Sequence, residues 1–456
     1  MREFLDRAFS SGGDRPFLVF RDRTWSYAAA SSVVEGLAAE LLREGLSPGE
    51  RLAIHLPTGP EHLFLWLATA KAGIVSCPIH PDAAPPEVDA ALTILSPRAV
   101  FDTAGLRMLD ASAAPCDPSI ATILTTSGTT GRPKAAMLSG RMAVLTGEGF
   151  AEWLRLTQGD RLFTCLPLSH INARFYSTLG TLAAGASLAL EERFSASRFW
   201  GWVRASEATE VNAIGAMLKI LLDRDPEPSD RDHRLRLVYT APALGREAHV
   251  AFEERFGVRL VVGYGLTEST FGFIHPFDER RDLDSMGRPR GDSAQVRLVD
   301  GELQLKNPAS FSGYFGDDEA TRAAWTDDGW LKTGDLARCG PDGQYTFLGR
   351  KKLVIRRRGE NLTPGEVEAV LERHPSVLEA GVIGVPSPLG EEDVLACVVL
   401  RAGASVTAEE LSAHAALHLA AFKVPTRWRF LDALPRTPTQ RIAYDELRAA
   451  VTRDER

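Results

Sequence analysis

Lysine is scarce in this chain of 456 residues, with 8 lysines against 44 arginines. In such a composition arginine takes over exposed basic positions without consequence, so a lysine that remains is informative. Cysteine is sparse too. Cys77, Cys116, Cys165, Cys339 and Cys397 lie far apart and form no C-x-x-C pair, which argues against structural zinc and a disulfide framework and reads as reduced thiols in the cytosol. No stretch reaches the ~18 apolar residues of a membrane span, because Lys71 and the polar residues after it break the best candidate. The opening Met1-Arg2-Glu3-Phe4-Leu5-Asp6-Arg7 carries acids where a secretory leader is basic and then apolar. A cytoplasmic protein is expected. The net charge of -8 argues against a nucleic-acid or anionic-membrane binder, which needs a basic footprint.

What is present is an ordinary globular composition, 44% hydrophobic and 25% charged. At about 150 residues per domain the length suggests two to four compact units. Arg51 to Leu56 reads as a strand, Glu61 to Ala72 as a helix closed by Gly73, and Ile74 to Ile79 as another strand. Helices are expected over Phe199 to Ala205 and Ala213 to Leu222, and strands end at Val238 to Pro242 and Leu260 to Val262. This alternation predicts a layered α/β fold with a largely parallel sheet. Residues 353–456 keep a strand and helix rhythm of their own, a small α+β unit.

The run Thr125-Thr126-Ser127-Gly128-Thr129-Thr130-Gly131-Arg132-Pro133-Lys134 follows a short apolar strand, Ala121 to Leu124. Backbone N–H groups and hydroxyls on a loop leaving a strand can surround an anion. It is not a Walker loop, which places lysine directly after the second glycine and a hydroxyl directly after the lysine; Arg132 and Pro133 intervene, and Ala135 follows Lys134. Further on, Gly263-Tyr264-Gly265-Leu266-Thr267-Glu268 offers glycines for close backbone approach, a flat ring, a hydroxyl and a metal-binding carboxylate. Read alone, it is equally an aromatic hairpin turn. Thr333-Gly334-Asp335 carries a carboxylate able to accept two hydrogen bonds, as a vicinal diol requires, or makes an Asx turn.

In this order the motifs resemble the adenylate-forming superfamily of acyl-CoA synthetases, firefly-type luciferases and peptide-synthetase adenylation domains, and among these the carnitine/crotonobetaine-type and medium-chain ligases. The resemblance spans nearly the whole chain. It implies a large α/β AMP-binding domain, 1–351, and a small mobile α+β domain, 352–456, turning about Lys352. It implies ATP or acyl-AMP, Mg²⁺ and coenzyme A as ligands. Lys134 with Thr126, Ser127, Gly128, Thr129, Thr130 and Gly131 would hold the β and γ phosphates, Thr267 the α-phosphate and Glu268 the Mg²⁺. Ala241, Pro242, Tyr264 and Gly265 would meet the adenine, Asp335 and Arg350 the ribose, and Gly359 and Glu360 the pantetheine tunnel. Arg356, Arg357 and Arg358 reach CoA phosphates or form a solvated basic edge. The acyl pocket is implied at His170, Ala213, Gly215, Ala216, Gly263 and Leu266, and the small residues Gly215, Ala216, Gly263 and Gly265 suggest room for a bulky hydrophobic, even polycyclic, acid.

One departure stands out. Where the family has Gly-Lys in its closing loop, this chain has Gln440-Arg441. By resemblance that lysine bridges the acid carboxylate and the α-phosphate during adenylation. Arginine keeps the charge but is longer, planar and forked, and Gln440 removes access to positive φ. The expected activity is therefore an acyl-CoA ligase acting through an acyl-adenylate, with thioesterification retained and adenylation impaired, a companion ligase supplying the adenylate. A complete two-step ligase, an enzyme loading a carrier protein and a non-catalytic nucleotide-binding relative are the alternatives. Asn172-Ala173-Arg174-Phe175 offers no carboxylate for an amino acid's α-amine, which counts against carrier loading.

Overall fold

Helix Pro60–Ala72 starts with proline in its first turn and stops on Gly73, left-handed at φ 75°, because only glycine takes that conformation without cost. It is apolar on nearly every side, from Leu63 to Ala70, and so is buried. The computed structural model describes residues 1–110, 114–126, 134–290, 294–357, 360–387, 392–437 and 442–454. These form two compact units. The first takes most of the chain up to Val296 with Leu305–Leu331, and the second takes Arg297–Gln304 with Lys332–Arg456. The segment 332–351, ahead of the division expected at Lys352, packs with the second unit.

In the first unit a seven-stranded sheet runs in the order 313–314, 134–139, 120–126, 75–78, 51–54, 99–102, 105–108. A nine-stranded sheet runs 288–289, 269–274, 259–266, 237–241, 210–214, 161–164, 187–190, 16–20, 23–26. In the nine-stranded sheet the strands from 259–266 through 16–20 pair in parallel, the layered α/β architecture that the alternation predicts. Strand Arg161–Thr164 has 187–190 on one side and 210–214 on the other, so the chain reverses direction across the sheet there. Ligands of open α/β sheets bind outside the carboxyl ends of strands at such a switch.

Two local expectations are corrected. The helix expected over Ala213 to Leu222 forms over Gly215–Leu222, and only Ala213 and Ile214 belong instead to the end of strand Glu210–Ile214. The strand wins because it pairs in parallel with neighbours on both sides, 161–164 and 237–241, and tertiary pairing overrides local propensity. The turn expected over Gly263 to Leu266 is strand as well. Arg259–Leu266 pairs antiparallel with Ser269–Ile274, Gly263 opposite Ile274 and Leu266 opposite Ser269, so the hairpin tip is Thr267-Glu268.

The second unit has its own core, Ile355, Leu362, Val367, Leu371 and Val382 among others, around the sheet of Val377–Pro386, Glu392–Leu400 and Arg427–Phe430. No described helix is long and apolar enough to cross a membrane.

Two histidines buried in the first unit give it an acid limit. Burial holds His62 down to about 3 and His275 to about 4, both below the ~6.5 of a solvated imidazole. The unfolded chain therefore binds the protons first, so the contribution is whole above pH 6.5 and lost as pH falls below it. Each histidine should cost about 2 kcal/mol by pH 5. Urea unfolding of His62→Phe is expected to show a shallower loss between pH 7.5 and 5 than the parent. Parallel curves would refute the assignment.

Candidate functional site

The hydroxyl-rich run begins at the end of strand Ile120–Thr126 and closes at the start of strand Lys134–Ser139, where Thr126 pairs with Lys134. Ser127 to Pro133 lie outside the described residues, as do Arg358, Gly359, Gln440 and Arg441. The Lys134 ammonium lies 4.6 Å from the centroid of the Tyr314 ring, a cation–π contact. The Tyr314 hydroxyl donates to Glu268 Oε1 at 2.7 Å. Tyr314 therefore ties the base of the phosphate-loop motif to the carboxylate at the hairpin tip. Its place is set by Gly313–Tyr314 pairing with strand 134–139. Sequence reading missed it, and only the tripeptide Ser312-Gly313-Tyr314, a glycine before an aromatic, could have drawn attention to it.

A Mg²⁺ ion fits this arrangement. Glu268 is a hard oxygen ligand, and among the described residues no cluster of three or more His, Cys, Asp or Glu could hold a metal. Mg²⁺ typically takes one or two carboxylates and completes its shell with other oxygens and water, so the carboxylate of Glu268, linked through Tyr314 to Lys134, suits it. Thr267 is half-buried beside Glu268. Tyr264 meets Phe273 edge-on at 5.6 Å, and Gly265 falls where the 259–266 strand shifts register against its partner, as glycines at bulges do. Ala241 ends strand Leu237–Ala241, with Pro242 next.

His170 follows strand Arg161–Thr164, its ring 5.5 Å from that of His80. The chain then enters an eight-residue π-helix, Asn172–Leu179, a conformation often found at functional sites. Ala213 is buried in strand 210–214, while Ala216 and Leu266 are half-buried. Gly215, Ala241 and Pro242 thus lie at the carboxyl ends of the neighbouring strands 210–214 and 237–241, Gly263 directly follows the parallel-paired part of 259–266, and His170 lies in the connection that leaves 161–164. The spaciousness expected at Gly263 is absent, because a Cβ there would sit 2.4 Å from the Tyr239 hydroxyl oxygen. Tyr239, packed edge-on against Phe150 and Tyr176, occupies the space the glycine leaves.

In the second unit Asp335 and Arg350 face each other across strands Leu331–Cys339 and Tyr345–Arg350. Arg350 Nε lies 2.7 Å from Asp335 Oδ1. The Asp335 N–H donates to Thr333 Oγ1, and Thr333 Oγ1 donates to the Leu303 carbonyl, so the carboxylate sits on a strand rather than in an Asx turn. Lys351 Nζ donates to Glu302 at 2.8 Å, and Glu302 also accepts from the Gly334 N–H. Lys352 is exposed in a one-turn 3₁₀ helix, Lys351–Leu353, and Glu360 is exposed at the start of strand Glu360–Leu362. Of the three arginines considered for CoA, Arg357 is buried and donates to the carbonyls of Phe422 and Val424. It is a structural residue, because a buried guanidinium must satisfy its donors inside the fold.

Residues 5–315 match the family model for an AMP-binding enzyme, and residues 366–441 that for the AMP-binding enzyme C-terminal domain. The chain is similar to a sulfoacetate–CoA ligase of Cupriavidus necator, 32% identical over 94% of this chain and 93% of that protein. It is 29% identical to a crotonobetaine/carnitine–CoA ligase of Salmonella paratyphi A over 98% of both chains. Among solved structures, ATP-bound MatB from Rhodopseudomonas palustris aligns with a TM-score of 0.89 at 26% identity, covering 98% of each chain.

Proposed function

Because this chain belongs to the AMP-binding enzyme family and has the fold of the adenylate-forming enzymes, we propose that it completes acyl-CoA formation efficiently from an acyl-adenylate and makes that adenylate poorly. It is an acyl-CoA ligase, an acid–thiol ligase, of that superfamily, for which ATP or AMP and CoA are the partners of a small carboxylic acid. In the first half-reaction a carboxylate oxygen attacks the α-phosphorus of ATP and the bond to pyrophosphate breaks, giving acyl-AMP. In the second the CoA thiolate adds to the acyl carbonyl and the bond to AMP breaks, giving the thioester.

The linkage of Lys134 to Glu268 through Tyr314 is the observation that carries the ligase reading. Lys134 and the loop hydroxyls bind the outer phosphates, Thr267 the inner one, and Tyr264 and the Ala241–Pro242 backbone the base. Asp335 and Arg350 offer an acceptor and donors to a ribose diol. Mg²⁺, when bound through Glu268, supplies neutralising charge for the phosphates. His170, Ala213, Gly215, Ala216, Gly263 and Leu266 surround the acyl group. Lys352 is the pivot between half-reactions, and Gly359 and Glu360 line the pantetheine path. The weak first step rests on Gln440-Arg441 in place of Gly-Lys, and it calls for a companion enzyme that supplies the adenylate. The five free cysteines suit the reducing cytoplasm.

The test is a paired assay. One arm receives acids, ATP, Mg²⁺ and CoA, the other the preformed acyl-adenylates and CoA, with thioester read by mass. Thioester from adenylate but little from acid is expected. Equal yields would make Arg441 a working substitute for lysine, and no thioester in either arm would overturn the ligase reading.

A further inference from the structure

A recess of about 220 Å³ opens at the amino ends of strands 16–20, 187–190, 161–164 and 210–214, which pair in parallel in that order. Ala241 and Pro242 lie at the opposite, carboxyl end of the same sheet, the end at which open α/β sheets ordinarily bind their ligands. Arg15 and Arg161 both line the recess. Arg15 is anchored to three backbone carbonyls, Nη1 to Gly185 at 2.9 Å, Nη2 to Ser11 at 3.1 Å and Nε to Gly12 at 3.2 Å. Arg161 Nε donates to Ser187 Oγ at 3.0 Å, and its Nη1 to the Ser206 carbonyl at 2.6 Å. Gly185 and Ser187 stand two residues apart, so one short segment brings the two guanidiniums to the same wall. Each guanidinium carries five N–H donors, and these anchors leave both with donors to offer.

The charge of these two arginines is not cancelled. Their partners are neutral oxygens, and among the described residues no carboxylate stands within ion-pair distance of either. The acids nearby are committed elsewhere. Glu207 accepts from Arg234 Nη1 at 2.9 Å, and Asp160 accepts from Arg236 Nε at 2.9 Å and from Thr209 Oγ1 at 2.8 Å. Burial pushes the carboxyl of Glu210, next along the chain from Thr209, well above the ordinary carboxylate range, so it is uncharged at neutral pH. The wall therefore keeps the full charge of Arg15 and Arg161. Like charges held together in a partly enclosed space raise the local potential and favour an anion between them.

We propose that this recess binds a small oxyanion of the phosphate class through Arg15 and Arg161, a second anion site apart from the run Thr125 to Lys134. The carbonyl anchors fix both forks in advance, so little side-chain freedom is lost on binding, and a planar fork presents paired donors to a phosphate. The bound anion bridges Arg15, ahead of strand 16–20, to Arg161, at the start of strand 161–164. It thereby ties together segments distant in sequence and stabilises the first unit by mass action.

The experiment titrates the full chain by calorimetry with inorganic phosphate and, separately, with glycerol 3-phosphate, at constant ionic strength and in a Lys134→Ala background that weakens the phosphate-loop motif. One site with a dissociation constant on the order of 0.1 to 1 mM is expected, the scale of a few charge-assisted hydrogen bonds. Inorganic phosphate binding as tightly as the ester assigns the site to the free ion, and a preference of about 10-fold for the ester assigns it to an organic phosphate. Arg161→Gln should weaken binding by about 10-fold or more. Because Arg161 also holds the Ser206 carbonyl, Gln158→Glu is the cleaner variant. Gln158 is exposed on the lining of the recess, so a carboxylate there should weaken phosphate binding by about 10-fold and leave urea unfolding without phosphate unchanged. Glu207→Gln frees Arg234 and should tighten binding. Heat that vanishes in the Lys134→Ala background, or phosphate binding left unchanged by both Gln158→Glu and Glu207→Gln, would overturn the proposal and leave the ligase reading standing.

Discussion

Returning Gln440-Arg441 to Gly-Lys, as the double variant Gln440→Gly with Arg441→Lys, is expected to speed adenylation by about 10² to 10³, or roughly 3 to 4 kcal/mol of barrier. An acid anion approaching a polyphosphate needs a compact cation at the point of contact. Lysine is a point charge on a flexible stem, whereas arginine spreads the same charge over a planar fork and cannot occupy the same narrow slot. Glycine beside it opens positive φ to the loop. The readout is ATP–pyrophosphate exchange with the best acid, alongside thioester formation from preformed adenylate. Exchange should rise while the second rate stays within about 2-fold, since the half-reactions use different contacts. Unchanged exchange would place the block elsewhere.

The opposite pattern is expected at the hairpin tip. Glu268→Gln removes the anionic metal ligand but keeps an acceptor for the Tyr314 hydroxyl. Adenylation should fall by about 10² or more, the scale on which one electrostatic contributor to a transition state is lost. Thioester formation from adenylate, which breaks no pyrophosphate bond, should be nearly unaffected. Tyr314→Phe keeps the ring beneath Lys134 and removes only the bond to Glu268. It should cost about 10-fold or less and raise the Mg²⁺ concentration needed for half-maximal exchange. If Glu268→Gln slows both half-reactions equally, the carboxylate serves the fold rather than the phosphates.

The architecture was legible where the chain announces itself locally. Gly73 closes the helix read from Glu61 to Ala72, and the strands read at Arg51 to Leu56 and Ile74 to Ile79 are found at Arg51–Ile54 and Val75–Pro78, without reference to anything distant. Legibility failed where partners far away in sequence decide. Nothing near Ala213 reveals that it lies between strands 161–164 and 237–241, and Gly263 to Leu266 is a strand only because Ser269–Ile274 lies against it. The candidate site shows the same division. Lys134, Glu268 and Asp335 stand in motifs whose order can be read, whereas Tyr314 matters through contacts with Glu268, 46 positions away, and with Lys134. Arg357 shows the reverse error, a charge that looks available in the sequence and is spent on two backbone carbonyls inside the second unit.

The filling of the Gly263 recess by Tyr239 carries a consequence for how such a protein changes over time. A larger residue at 263 is blocked until 239 becomes smaller, and a smaller 239 alone opens a void among Phe150 and Tyr176 that costs stability. Each single step is disfavoured, so the two positions exchange volume as a pair or remain as they are. Efforts to redesign specificity should therefore randomise 239 and 263 together, since libraries that vary either one alone will return the parent residue.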